Sequence, residues 1–206
     1  MSDAETSSDE NLTAFTEMEY RFVKQNTKIK THHFIQATKS LVKLLEKIGK
    51  MFAPVVYDLN ESVKKLLGKY EQNKVKYKYL EDIIIEENEV SLQILDAVVW
   101  IKRNMQFLAK FFQCITDDTY NLAHDLTVSL KETYTETLEP HHGWLGTQLY
   151  NVLCKFAPCR RTFLYVLALD KHDKQNLVLK DMKNFVQELN HTATYLEDFI
   201  TKNNLE

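Results

Sequence analysis

The chain has 206 residues, 44% of them hydrophobic and 11% aromatic, and a formal net charge of -3 at neutral pH. That length and apolar content suit one domain with a real core. The slight acidity and the lack of any DNA- or RNA-binding motif exclude a general nucleic-acid binder. Residues 1–10, MSDAETSSDE, are acidic and polar, unlike a secretory leader, and read as a disordered tail ahead of a domain spanning 11–206. A first helix is expected from Leu12 to Gln25, with Phe15, Met18, Tyr20 and Phe22 on its apolar side. Thr31 is placed to cap a second helix ending at Gly49, whose positions Phe34, Ala37, Leu41, Leu44, Leu45 and Ile48 follow helical spacing. Pro54 suits the first turn of a third helix reaching Tyr70, on which Asp58, Ser62 and Lys65 fall at i, i+4 and i+7 and share a face. A fourth helix is expected over Lys74–Asn88, with Ile83, Ile84 and Ile85 inward.

Leu92–Ile115 is the longest apolar run and is apolar nearly all round, the mark of a buried helix. Lys102, Arg103, Gln106 and Lys110 break it too often for a membrane span. It carries Asp96, Trp100 and Arg103 about a turn apart, an odd trio for a central helix. A sixth helix is expected over Thr119–Leu138, ended by Glu139-Pro140, and a seventh over Trp144–Phe156. A short one over Arg161–Leu169 and a last one over Gln175–Lys202 complete an all-α domain with no strand pattern, repeat or linker. Only four Gly and three Pro occur, in keeping with long helices. Cys114, Cys154 and Cys159 form no CxxC pair and read as reduced thiols of a cytoplasmic protein.

Glu139-x-x-His142 and Glu188-x-x-His191 have the spacing used in di-iron helical bundles, but Pro140 falls inside the first pair, where a helix should already be regular. No Ser–His–Asp arrangement, Gly-rich phosphate loop or zinc spacing is present, so no metal, cofactor or catalysis is expected.

Three patterns remain: FAPVVYDLNESVKK from Phe52 to Lys65, WIKRNMQFL from Trp100 to Leu108, and HHGW from His141 to Trp144. Their order and spacing resemble the glycolipid transfer protein family, through Phe52, Pro54, Asp58 and Lys65, then Trp100, Lys102, Arg103 and Phe107, then His142, Gly143 and Trp144. The resemblance implies a two-layer helical sandwich of about eight helices around an apolar lipid tunnel. It also implies non-catalytic carriage of a sphingolipid between membranes. It assigns Asp58, Lys65, Trp100 and His142 to the lipid headgroup. The residue chemistry suits that role, since an ionised carboxylate accepts from hydroxyls or an N–H, and an indole offers a flat apolar face to a sugar ring. Ser62 stands where the family has Asn, which shortens one polar contact, and Asp96 and Arg103 are further headgroup candidates. Leu44, Leu45, Ile48, Phe52, Phe107, Tyr150 and Phe163 are candidates for the chain tunnel. Trp144 is expected to dock on the bilayer, helped by Tyr150, Lys155, Arg160 and Arg161. Phosphosphingolipid carriers tend to have Lys at the Ser62 position and Arg at the Trp100 position. A glycosphingolipid ligand is therefore expected, with a ceramide-1-phosphate carrier or a non-transporting sphingolipid sensor as alternatives. A monomer that touches membranes transiently is the expected state.

Overall fold

The computed structural model describes residues 11–23, 28–88, 90–117 and 125–205, with the side chains of Trp144 and Leu145 outside that description. Among the described residues there are eight α-helices and no strand beyond two isolated bridges. The helices are α1 (Thr31–Ile48), α2 (Ala53–Gln72), α3 (Leu80–Asn88), α4 (Gln93–Thr116), α5 (Thr127–Thr137), α6 (Trp144–Leu153), α7 (Arg160–Leu167) and α8 (Gln175–Lys202). The expected tail 1–10 lies outside the described residues.

The central helix is α4. Its residues Ile101, Met105, Phe107, Leu108, Phe111 and Phe112 are fully buried, and it packs against α2, α3, α5 and α8. Gln106 and Lys110 form its exposed edge, and Lys110 pairs with Glu136 of α5. Lys102 is 7% exposed and pairs with Glu197, tying α4 to α8. Its stem packs in the core while the charge meets a carboxylate at the rim.

Several helix boundaries differ from those the sequence suggests. Over the described residues 11–23 there is no helix where Leu12–Gln25 is expected to form one, and residues 24–27 lie outside the description. Thr13 N–H donates to Thr16 Oγ1, and Thr16 Oγ1 to the Thr13 carbonyl, so side chains claim groups a helix would need. Thr13 Oγ1 also donates to Asp181, and Ala14 N–H to the Leu167 carbonyl, fastening this segment across α7 and α8. Phe15 and Phe22 are buried all the same.

Thr31 is the first residue of α1 rather than its cap, and its hydroxyl is buried without a protein partner. The N–H of Thr31 goes to the Lys78 carbonyl, and that of Leu80 to the Ile29 carbonyl, in a short bridge between Lys30 and Tyr79. The same bridge delays α3, which starts at Leu80 instead of Lys74, while Asn73 holds a turn by accepting from Lys76 N–H. Glu81, 1% exposed, locks this corner by accepting from Ile29 N–H at 2.9 Å and Tyr195 Oη at 2.7 Å. Burial, together with that carboxylate, raises the Tyr195 pKa well above the phenol range. Ile83 and Ile84 are buried but Ile85 is 43% exposed, since three successive residues sweep more than half a helical turn. The expected start of the sixth helix at Thr119 lies outside the described residues; α5 is seen from Thr127, whose N–H donates to Asp125.

Gly49 ends α1 at φ 130°, a conformation that side-chain-bearing residues rarely adopt. Pro54 sits in the first turn of α2, as its fixed φ and missing N–H favour. This sharp α1–α2 corner delivers Phe52 into the core and Asp58 to its rim.

Candidate functional site

Asp58 lies on the second turn of α2. His142 follows the 3-10 turn Glu139–His141 in extended backbone, just before α6. Trp100 projects from α4. The structure brings these three together. His142 Nε2 is 3.7 Å from Asp58 Oδ2, with side chains 14% and 25% exposed. The imidazole stacks on the Trp100 indole at 5.3 Å between centroids and 20° between planes.

At 3.7 Å the Asp58–His142 pair is too long for a hydrogen bond. The carboxylate therefore keeps an acceptor, and the imidazole a nitrogen, for a third group placed between them. The other imidazole nitrogen is fixed: Tyr134 Oη lies 2.9 Å from His142 Nδ1. Burial raises the Tyr134 pKa, against a hydrogen bond from Thr147, so the phenol keeps its proton. With the phenol as donor to Nδ1, the imidazole proton sits on Nε2, facing Asp58. Tyr134 is itself held flat on Tyr150, at 3.6 Å and 9°. Gly146, one turn into α6, allows this fit: a Cβ there would lie 3.3 Å from His142 Cβ.

Ser62 and Lys65 continue the Asp58 face along α2, Ser62 buried and Lys65 exposed. Arg103 reaches back over the indole, its guanidinium carbon 5.4 Å from the Trp100 centroid. Burial first, then the Arg103 charge, lowers the pKa of the neighbouring His141. Asp96 is exposed, forms no ion pair among the described residues, and lines an open cavity of about 550 Å³ with Arg103, Lys102 and Asn204, between α4 and the end of α8.

Beneath the site lie the seven tunnel candidates, all buried: Leu44, Leu45, Ile48, Phe52, Phe107, Tyr150 and Phe163. Phe107 meets Phe52 at 6.4 Å and Tyr150 at 6.0 Å. Phe111 bridges Phe52 and Phe163 at 5.7 and 5.9 Å. These rings are in contact with one another, so any chain admitted here would have to part them. Leu44 lies at the outer edge, beside a surface cavity under Met18.

Tyr150 is 1% exposed, so it belongs to the interior and not to a docking surface. Trp144 begins α6, but its side chain lies outside the described residues. The exposed apolar side chains here are Leu149, Val152 and Phe156, a stripe absent from the sequence-based expectation although its helical spacing is readable. Arg160 turns inward to donate to the Ile115 carbonyl. The two Glu-x-x-His pairs do not build a metal centre: Glu139 is in a 3-10 turn, His142 is in extended backbone, and Glu188 is paired with Arg21. Among the described residues no group of three or more potential ligands could hold a metal ion, and no helix is long and apolar enough to cross a membrane.

The all-helical fold of this chain is one already solved in other proteins. A structure described as showing how FAPP2 selects simple glycosphingolipids using the GLTP-fold superposes with a TM-score of 0.80 at 27% identity, covering 95% of this chain and 98% of that one. The human ceramide-1-phosphate transfer protein superposes at 0.76 with 14% identity, covering 96% of each chain, a likeness of fold alone. The chain belongs to the glycolipid transfer protein family, whose model matches residues 29–169. It is 29% identical over 169 residues to human pleckstrin homology domain-containing family A member 8, covering 79% of this chain but 31% of that protein, so it spans about a third of that relative's length. It is 23% identical over 199 residues to the Danio rerio glycolipid transfer protein, covering 92% of this chain and 95% of that one. The expected all-α, two-layer sandwich is the fold observed.

Proposed function

We propose that this chain carries a glycosphingolipid between membranes without changing it chemically. The observation that carries the reading is the Asp58–His142 pair, an acceptor and a donor side by side and left unbonded to each other. A secondary amide offers the complement, an N–H beside a C=O. Asp58 accepts from the ceramide N–H, and His142 Nε2–H donates to the ceramide carbonyl. A charge-assisted hydrogen bond of this kind contributes about 1.5–3 kcal/mol. The indole of Trp100 receives the apolar side of the sugar, Lys65 and Arg103 supply hydroxyl contacts at the rim, and the buried Ser62 supplies one below it. Asp96 is placed to meet a sugar that extends towards α8.

The chains part the Phe52–Phe107–Phe111–Tyr150 cluster and replace ring–ring contact with ring–chain contact. Docking falls to α6 and the 3-10 turn after it, where Leu149, Val152 and Phe156 form an apolar stripe beside Lys155 and Arg161, a composition suited to an interface with anionic lipid. Contact of this size is transient, which suits a monomeric cytoplasmic shuttle.

A sugar is favoured over a phosphate because Trp100 and Ser62 occupy the two positions where a dianionic headgroup calls for cations. The names of the relatives support both ligand classes, with the solved structure at higher identity on the glycosphingolipid side. The test is transfer between vesicles of hexosylceramide and, separately, of ceramide-1-phosphate. We expect the sugar lipid to move in proportion to protein. Asp58→Val should lower transfer by at least tenfold, about 1.4 kcal/mol or more, while helical circular dichroism stays intact. Preference for the phosphate would reverse the headgroup reading. Binding without transfer would make the chain a sensor, and full activity of Asp58→Val would move the site elsewhere.

A further inference from the structure

Among the described residues, three buried side-chain oxygens lack a protein hydrogen-bond partner: Thr31 Oγ1, Thr133 Oγ1 and Asn104 Oδ1. Of the three, Asn104 lies on the stripe of α4 that joins the site to the interior. Trp100, Asn104, Phe107 and Phe111 follow one another at i, i+4, i+7 and i+11, on one helical face. Trp100 meets His142 at the rim, and Phe107 and Phe111 meet Phe52 in the core. Asn104, fully buried, stands between them, about 6 Å along the helix from Trp100 at 1.5 Å per residue.

The amide orientation is set by its other end. Asn104 Nδ2 donates to the Trp100 carbonyl at 2.9 Å. Exchanging N and O would set two acceptors face to face, so the carbonyl end is the one left over. An amide oxygen has two lone pairs and only accepts. A buried acceptor of this kind is rare, and each instance calls for an explanation.

We propose that Asn104 Oδ1 selects lipids bearing a hydroxyl near the amide beyond the one that every sphingoid base carries on its third carbon: on the second carbon of the acyl chain or the fourth carbon of the sphingoid base. This rests on the carrier reading above. Asp58 and His142 already answer the amide. A chain running inward from the amide towards Phe107 passes Asn104 within its first carbons. A plain chain sets a methylene against the carbonyl oxygen and leaves it unsatisfied. A hydroxylated chain donates to it. Sites that hydrogen-bond a buried hydroxyl discriminate strongly against the analogue lacking it.

The experiment is transfer of three galactosylceramides of equal chain length by the full chain: plain, 2-hydroxyacyl, and 4-hydroxysphinganine-based. We expect one hydroxylated lipid to exceed the plain one by about tenfold, and the favoured one identifies which chain lies against α4. Asn104→Leu, of similar volume and with no acceptor, should bring that ratio to near one while plain galactosylceramide still moves. Equal rates for all three lipids with wild-type protein overturn the proposal and leave Oδ1 to a structural water. An unchanged ratio in Asn104→Leu overturns it as well, placing the selectivity elsewhere. If wild-type protein moves none of the three, the carrier reading itself falls, and this assignment with it.

Discussion

A histidine is useful to a ligand only if its proton is on the right nitrogen, and at His142 a neighbour decides that. With the Tyr134 hydroxyl donating to Nδ1, Nε2–H lies beside Asp58. Tyr134→Phe keeps the ring stacked on Tyr150 but removes the hydrogen bond, worth about 0.5–1.5 kcal/mol. We expect glycolipid transfer to fall about three- to tenfold, with the melting temperature nearly unchanged. The nitrogen NMR shifts of His142 should move from a single tautomer towards a mixture. A purely structural tyrosine would leave those shifts alone, and that outcome would remove Tyr134 from the site. Asp58, Trp100 and His142 are legible in the sequence because each sits in a short local pattern. Tyr134 and Asn104 are not. The first acts through a turn that brings residue 142 back over α5, and the second is marked by a missing partner, which only coordinates reveal.

At the scale of elements, helices are readable where apolar spacing is strong and their ends where Pro or Gly stands, as at Pro54 and Gly49. They are misread where hydrogen bonds from elsewhere override local preference, as at Thr13–Thr16 and at the Lys30–Tyr79 bridge. One inter-helix link gives a pH signature. Lys69 of α2 pairs with Glu87 of α3 at 2.5 Å, both side chains about 15% exposed. The hydrogen bond to Glu87, then that to Tyr77, raises the Lys69 pKa above 10.5. A folded-state pKa above the unfolded one means the contribution is fully present below pH 10.5 and is lost as pH rises through the folded value. Wild-type protein should therefore lose melting temperature more steeply than Lys69→Met as the pH rises above 10.5. Parallel curves would show that the pair adds nothing.

Across the whole molecule, the family-matched span of 29–169 is shorter than the folded unit. Phe15 meets Phe112 and Phe185 at 6.0 and 5.4 Å, and Phe22 meets Phe34 at 6.2 Å. Removing residues 1–27 strips two buried rings, each worth about 1.5–3 kcal/mol, from a domain whose total stability is about 5–15 kcal/mol. We expect the shortened chain to melt far lower in circular dichroism, and an unchanged melting curve would show the segment to be decoration.

The ring-on-ring interior has a consequence for turnover. Before loading, Phe52, Phe107, Phe111 and Tyr150 are already shielded from water by one another, and a lipid in a bilayer is equally dry. In the carrier proposed above, loading would exchange one oily neighbour for another, and the hydrocarbon would supply little net bias towards either compartment. Uptake and delivery by such a carrier would run near equilibrium, with the direction of flow set by which bilayer holds more cargo.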